Sequence, residues 1–398
     1  MEIESKRQPP QKFSAYIIGN SSLCIECGSH LLEQSHQIIG IATSDLDVEK
    51  WAKNESINCL FFAEGNSDSQ QLFEFFNQRP FDYLFSVDNA VILGDDILDL
   101  PQKMAINYHD GPLPRYGGLN ATNWAIYNQE SSHGVTWHVI ANQIDAGDIL
   151  KHRSVDISDH ETALTLNGKC YESAIFTFKE LVSDLANGSL KRQPQDLSQR
   201  TYFASHQRPT AACIIDWSQS AHQISALVRA LDHGVYPNYL GAAKALIAGE
   251  VVLVDQIEVL DVASEQPAGT ILTIDPDQMV VATADFDVAL SRFQEQTGVL
   301  LDPVQIGEQF QLVVGDRLPD HQLPSQRQVQ ALTKVLQKHE PYWVKRLSEL
   351  EPVQLPYVNR LTPENDQKQE GRIKGLSVEI PDEVRPVSYT HLTLPTKA

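Results

Sequence analysis

Two apolar runs, Ser14-Ala15-Tyr16-Ile17-Ile18-Gly19 and Gln37-Ile38-Ile39-Gly40-Ile41-Ala42, bracket residues 24–34, whose apolar positions recur at helical spacing. A continuous apolar run suits a strand buried on both faces, and helices crossing between parallel strands provide that cover. The alternation continues through Cys59-Leu60-Phe61-Phe62, a helical run over residues 69–77, Tyr83-Leu84-Phe85-Ser86-Val87 and Met104-Ala105-Ile106. The expectation is an α/β fold with a doubly wound, mostly parallel sheet in residues 1–190. Ligands of such sheets bind outside the carboxyl edge. A dinucleotide is not expected there, because only Gly19 and Gly28 stand where G-x-G-x-x-G would be. Cys24-x-x-Cys27 falls in the first helix with no second ligand pair behind it, and reads as small core residues.

The chemistry-bearing stretch follows. Asn107-Tyr108-His109-Asp110-Gly111-Pro112-Leu113-Pro114 leaves the strand that begins at Met104, and the prolines stiffen the loop after His109. A second strand-like run over residues 135–140 leads to Asp145-Ala146-Gly147-Asp148. The expected site joins Asn107, His109 and Asp145 from two strand ends. Such a trio suits acyl transfer to an amine. Asn107 and His109 can donate to an oxygen gathering negative charge. Asp145 can orient the imidazole and take the proton that the amine loses. By spacing alone the same residues read more readily as turn formers and surface polars. No metal is expected, since His133, His138 and His152 make no spaced ligand set with the cysteines.

These residues resemble the signature of the 10-formyltetrahydrofolate-dependent formyltransferases, Asn-x-His-x-x-Leu/Pro-Leu-Pro followed by an Asp-x-Gly turn. The similarity runs from about Ser14 to about Gly298. It implies Asn107, His109 and Asp145 as the catalytic trio and 10-formyltetrahydrofolate as donor. It also implies a pterin pocket walled by Asn89, Ala90, Val91, Ile92 and Leu93, with Ile144 on the other side. The chain departs from the family at Gly111-Pro112, where Ser-Leu is usual, and at Gly117-Gly118-Leu119-Asn120, where Arg-Gly-x-x-Pro is frequent.

Residues 187–206 turn to Gly, Ser, Gln, Pro, Lys and Arg, the composition of an exposed linker or a long crossing loop, whose bounds are set at 191–208. Beyond it, a helix over residues 221–231 and short strands near 249–260, 269–274 and 279–283 suggest a small OB-like β-barrel in residues 209–315. Ile215-Asp216-Trp217 and Tyr236-Pro237-Asn238 resemble the carboxyl-terminal barrel of the same formyltransferases. Residues 316–398 are expected to be a helical or disordered extension. It starts with an amphipathic helix over 325–350, and its last residues break with the character of the chain. Nothing after residue 379 has a periodicity that would dock, so its removal is expected to be neutral.

The net charge of −21 over 398 residues argues against gripping a phosphate backbone, so tRNA is a disfavoured partner. Five cysteines without framework spacing fit a reducing cytoplasm, and no stretch is long enough to span a membrane. Continuation past the barrel resembles formyltransferase regions joined to nonribosomal peptide synthetases. That resemblance implies an acceptor amine on a carrier-protein-bound aminoacyl unit. Methionyl-tRNA or an amino-sugar nucleotide is the alternative acceptor, a deformylating hydrolase the alternative reaction, and a degenerate docking module the alternative of another class.

Overall fold

A computed structural model describes residues 10–62, 69–209, 212–319 and 326–337, apart from 235, 237, 239, 296 and 297, together with 339, 342, 343 and 346. The unit described below ends at Trp343. The extension beyond it, its last residues and the expected effect of removing them lie outside the described residues.

The first half runs β1 (Ser14–Gly19), α1 (Ser21–Glu33), β2 (Gln37–Thr43), α2 (Leu46–Asn54), β3 (Cys59–Phe61), α3 (Ser69–Phe76), β4 (Tyr83–Val87), α4 (Asp95–Leu98) and β5 (Met104–His109). It continues with β6 (Gly117–Gly118), α5 (Ala121–Tyr127), β7 (Ser132–Val139), β8 (Ile149–Asp156), α6 (Ala163–Asn187) and β9 (Tyr202–Phe203). Seven strands form the sheet, in the order β3-β2-β1-β4-β5-β7-β8. The first five are parallel, and β7 and β8 are antiparallel additions. The chain winds outward from β1 to β3 and then returns to β4 and β5 on the other side of β1.

That reversal puts helices on both faces. Leu23, Cys24, Cys27 and Leu31 of α1, Val48 of α2 and Phe178 of α6 share one apolar core. Leu72, Phe75 and Phe76 of α3 and Ile97 of α4 belong to the opposite one. Cys24 and Cys27 are free and buried, and desolvation pushes both thiols up, away from the thiolate. They are core residues, as their helical setting implies. Strand alternation sorts β5 as well. Ile106 and Tyr108 enter the α1/α6 core, whereas Ala105 faces the α3 side. Asn107 and His109 therefore share the α3 face of the sheet.

The second half packs α7 (Ala221–Leu231) against an antiparallel sheet of β10 (Lys244–Ile247), β11 (Glu250–Val259), β12 (Ile271–Ile274), β13 (Met279–Val281), β14 (Val288–Gln294) and β15 (Leu300–Leu301). The order is β10-β11-β14-β13-β12, with β15 on β14. This sheet curls into a half-barrel around Trp217, Met279, Leu290 and Phe293. Helix α8 (Pro303–Phe310) packs on it, and α9 (Gln326–Gln337) follows. Strands β10 and β14 have no counterpart in the sequence reading; β10 has only four residues, and the polar Ser291 and Arg292 interrupt the apolar pattern of β14.

The polar segment 191–208 is a crossing segment rather than a free tether. Gln193 and Ile149 exchange backbone hydrogen bonds at 2.8 and 2.9 Å, and β9 pairs in parallel with β6. The segment runs as a strap from the edge strand β8, where Gln193 meets Ile149, to β6 beyond the carboxyl end of β5.

Candidate active site

Strand β5 delivers Asn107 and His109, and β7 faces them in antiparallel register, Asn107 opposite His138 and His109 opposite Thr136. The expectation that two strand ends bring the trio together is corrected here. Strand β7 runs back beside Ile106, so its end lies away from His109. Asp145 reaches the site because the loop after β7 folds back on the strand, with the Val139 amide donating to the Asp148 carbonyl at 2.9 Å. A Cβ on Gly147 would stand 1.9 Å from the Val139 carbonyl oxygen, so the loop can return this closely only with glycine there.

The three expected residues do converge. Asp145 Oδ2 lies 3.9 Å from His109 Nδ1 and accepts from the Gly118 amide at 2.8 Å. His138 joins them, its Nε2 lying 3.2 Å from Asn107 Nδ2 and 3.5 Å from Asp145 Oδ1. The sequence reading considered His138 only as a metal ligand. The signal that would have found it is the matched i, i+2 spacing of Asn107/His109 and His138/Thr136 on facing strands. His138 Nδ1 lies 2.9 Å from the Val139 carbonyl, which can only accept, so Nδ1 carries a hydrogen and Nε2 faces Asn107 and Asp145.

The tautomer of His109 has a different cause from the one expected. Its Nε2 sits 2.7 Å from the Tyr116 carbonyl. A carbonyl can only accept, so Nε2 carries the hydrogen and Nδ1 presents a lone pair. Asp145, at 3.9 Å, is beyond hydrogen-bond reach and acts on Nδ1 through charge. Asp110 Oδ1 flanks the same nitrogen at 3.9 Å. The two acids are pushed apart. Desolvation raises Asp110, with His109 opposing and Asp88 reinforcing. Desolvation also works against Asp145, but His138, the charge His109 carries when its ring is protonated and the Gly118 amide outweigh it and hold the carboxyl at about 2. A ring nitrogen between a stable carboxylate and an acid that binds its proton more readily is equipped to pass protons.

The loop after His109 is pinned from β7. The Thr136 hydroxyl donates to the Gly111 carbonyl at 2.7 Å and accepts from the Leu113 amide at 3.2 Å. His133 donates to the Asp110 carbonyl at 2.7 Å, and desolvation lowers it to about 4, so it serves as a neutral buried donor.

Of the expected pterin-wall residues, Asn89 holds its own loop by donating to Ser86 Oγ at 3.2 Å and to the Val91 carbonyl at 3.1 Å. Its Oδ1 accepts from the Val91 amide at 3.0 Å. Val91 and Leu93 pack on the α3-side core, Ala90 is exposed, and Ile92 is 77% exposed. Ile144, one residue before Asp145, is 44% exposed. Exposed Ile92 and Ile144, together with a loop of constrained backbone amides, suit a flat heteroaromatic ring with hydrogen-bonding edges. Among the described residues, no group of three His, Cys, Asp or Glu side chains is arranged to hold a metal ion.

Residues 34–178 match the family model described as formyl transferase, and residues 209–311 match that of the formyl transferase C-terminal domain. The chain belongs to the formyl transferase family. Solved structures with the family's fold include HypX from Aquifex aeolicus in complex with tetrahydrofolic acid, at 16% identity and a TM-score of 0.54. That match covers 79% of this chain and 50% of the HypX chain. An N-formyltransferase from Helicobacter canadensis, in complex with folinic acid and dTDP-3-aminofucose, matches at 17% identity and a TM-score of 0.54, over 69% of this chain and 98% of that one. WlaRD, a sugar 3N-formyl transferase solved with dTDP and 5-N-formyl-THF, matches at 17% identity and a TM-score of 0.53, over 70% and 97%. The chain spans about half the length of the HypX structures it matches. At these identities the likeness is one of fold.

The charge on Asp145 links the site to stability. A carboxyl held at about 2, against an ordinary 3.8, stabilises the folded state fully above pH ~4 and loses that contribution as the pH falls through about 2. The contribution is about 2 kcal/mol. Urea unfolding between pH 4 and pH 2 should therefore show wild type losing about 2 kcal/mol more than Asp145→Asn. Parallel pH profiles for the two proteins would contradict it.

Proposed function

We propose that the protein transfers a formyl group from 10-formyltetrahydrofolate to a primary amine. The observation carrying this reading is the convergence of Asn107, His109, His138 and Asp145 from β5, β7 and the loop after it. The donor's pterin would lie against Asn89, Ala90, Val91, Ile92 and Leu93 with Ile144 opposite, and would place the formyl carbon at the trio. Asn107 donates an N–H to the carbonyl oxygen as charge builds there. His109 Nδ1 accepts the proton that the attacking amine loses, the Asp145 carboxylate stabilises the imidazolium that results, and the proton passes to N10 of the donor as the N10–formyl carbon bond breaks and tetrahydrofolate leaves. The Tyr116 carbonyl keeps Nε2 protonated throughout, so only Nδ1 faces this exchange. That folate compounds accompany the fold neighbours HypX, WlaRD and the Helicobacter enzyme supports the donor assignment.

The acceptor in this reading is the α-amine of an aminoacyl unit on a carrier protein, at the start of nonribosomal peptide synthesis. A net charge of −21 disfavours tRNA. The sugar N-formyltransferases are matched over 97–98% of their length, whereas this chain carries residues 312–398 beyond its second family match. Gly117-Gly118-Leu119-Asn120, which depart from the family pattern, fall where the acceptor loop is expected, and a different acceptor fits that departure. Gly117 and Gly118 pair with the strap, and Gly118 binds Asp145. An amino-sugar acceptor is the second reading, favoured by the sugar substrates named for two fold neighbours. The test offers aminoacyl carrier protein, methionyl-tRNA and an amino-sugar nucleotide at equal concentration with 10-formyltetrahydrofolate, and identifies products by mass. Preferential formylation of the carrier-bound amine is expected. Preference for the tRNA or the sugar overturns the acceptor, and no formylated amine at all overturns the reaction.

A further inference from the structure

Two residues at the site hold left-handed backbone without being glycine, Tyr116 at φ 60° and Asp145 at φ 56°. Tyr116 supplies the carbonyl that sets the His109 tautomer, and Asp145 supplies the charge beside Nδ1. Such conformations persist only where surrounding contacts over-determine them. Here the contacts come from the strap. The Tyr116 amide donates to Thr201 Oγ1 at 2.7 Å and the Gly117 amide to the Thr201 carbonyl at 3.0 Å. Phe203 stacks between Trp124, with centroids 4.6 Å apart, and Tyr116, at 5.4 Å. On the other side, Gln195 Nε2 donates to the Asp145 carbonyl at 3.0 Å and to the Gly147 carbonyl at 2.6 Å. Arg200 donates to the Ile144 carbonyl at 3.0 Å.

We propose that Thr201 and Gln195 are positioning residues for formyl transfer: the strap clamps the Tyr116 and Asp145 backbones and so fixes which nitrogen of His109 faces the substrate. This rests on the reading of the site given above. Neither residue reaches His109, so both act through the loops they hold. Two converging carbonyls also fix the orientation of the Gln195 amide, because only its NH2 end can satisfy them. Thr201 is exposed, so its substitution leaves both cores intact.

The test compares Thr201→Val, Thr201→Ser and Gln195→Leu by steady-state kinetics with 10-formyltetrahydrofolate, and by two-bond 1H–15N spectra of His109. Thr201→Val should lower kcat about 10-fold, the worth of one such hydrogen bond, with the KM values for donor and amine close to unchanged. Thr201→Ser should restore kcat. Gln195→Leu should behave like Thr201→Val, and the two together should approach a loss on the order of 10²-fold, as for a misplaced catalytic group. In the spectra, wild type and Thr201→Ser should show His109 as a single Nε2–H tautomer, and Thr201→Val a mixture. A single unchanged tautomer in Thr201→Val and an unchanged kcat in Gln195→Leu would overturn the proposal. A rise in KM alone would do the same, since it would place the strap in binding. If wild type formylates no amine, the reaction reading falls, while the spectra still decide whether the strap sets the tautomer.

Discussion

His109→Ala is expected to lower formyl transfer on the order of 10²–10³-fold, with Asn107→Ala and Asp145→Ala in the same range. The three act on one proton and one oxygen, so combining them should cost little more than the worst single change. The imidazole is buried, with 5% of its side chain exposed, and its loss strands the Tyr116 carbonyl. A buried acceptor without a donor costs about 1–3 kcal/mol, so a lower melting temperature accompanies the kinetic loss. His109→Gln separates the two effects, because its amide N–H can meet the carbonyl while the Nδ1 lone pair is gone. Single-turnover measurements with all four variants check this. Near-normal turnover in His109→Ala would remove the central assignment, however stable the variant.

Gly118→Ala should be damaging for two reasons at once. Gly118 has φ +95°, and its Cβ would stand 2.2 Å from the Phe203 carbonyl oxygen. That neighbour is backbone and cannot swing aside as a long side chain would. Left-handed conformation costs roughly 1–2 kcal/mol for a residue with a Cβ, and overpacking adds about 1–3 kcal/mol. The sum of about 3 kcal/mol should lower the melting temperature by roughly 3–5 °C in a protein of this size. Relief comes only if β6 and β9 part. The Leu119–Phe203 hydrogen bond at 3.0 Å and the Gly118–Asp145 hydrogen bond at 2.8 Å then go as well. Thermal melts and turnover should fall together; a stable, active Gly118→Ala would show that the strap sits elsewhere in solution.

The parallel sheet was legible because its strands are buried on both faces and appear as unbroken apolar runs between helices. Asn107, His109 and Asp145 were legible as a motif, and the fold gathers them. His138 was not, because its role depends on β7 lying antiparallel to β5, a register that a single strand does not announce. The proposed donor wall is half legible. Val91 and Leu93 are apolar for packing, and only Ile92 and Ile144 stand exposed, outside any core. The strap was least visible. Its Gln, Ser, Arg and Thr look like any solvated loop, and nearly all its contacts with the catalytic loops go to backbone groups, which leave no mark on composition. The Tyr116 carbonyl, which sets the His109 tautomer, is invisible in sequence for the same reason.

The strap is also the stretch of chain that leads from α6 to the half-barrel. Helix α7 of the second half is moored to the first by the Asn123 side chain on the Ala230 carbonyl at 2.6 Å and by Arg229 on the Glu161 carbonyl at 2.8 Å. The residues that hold the Tyr116 and Asp145 loops, Gln195, Thr201 and Phe203, thus stand on the stretch of chain that joins the two halves, so the anchoring of the site and the connection between the halves share one segment.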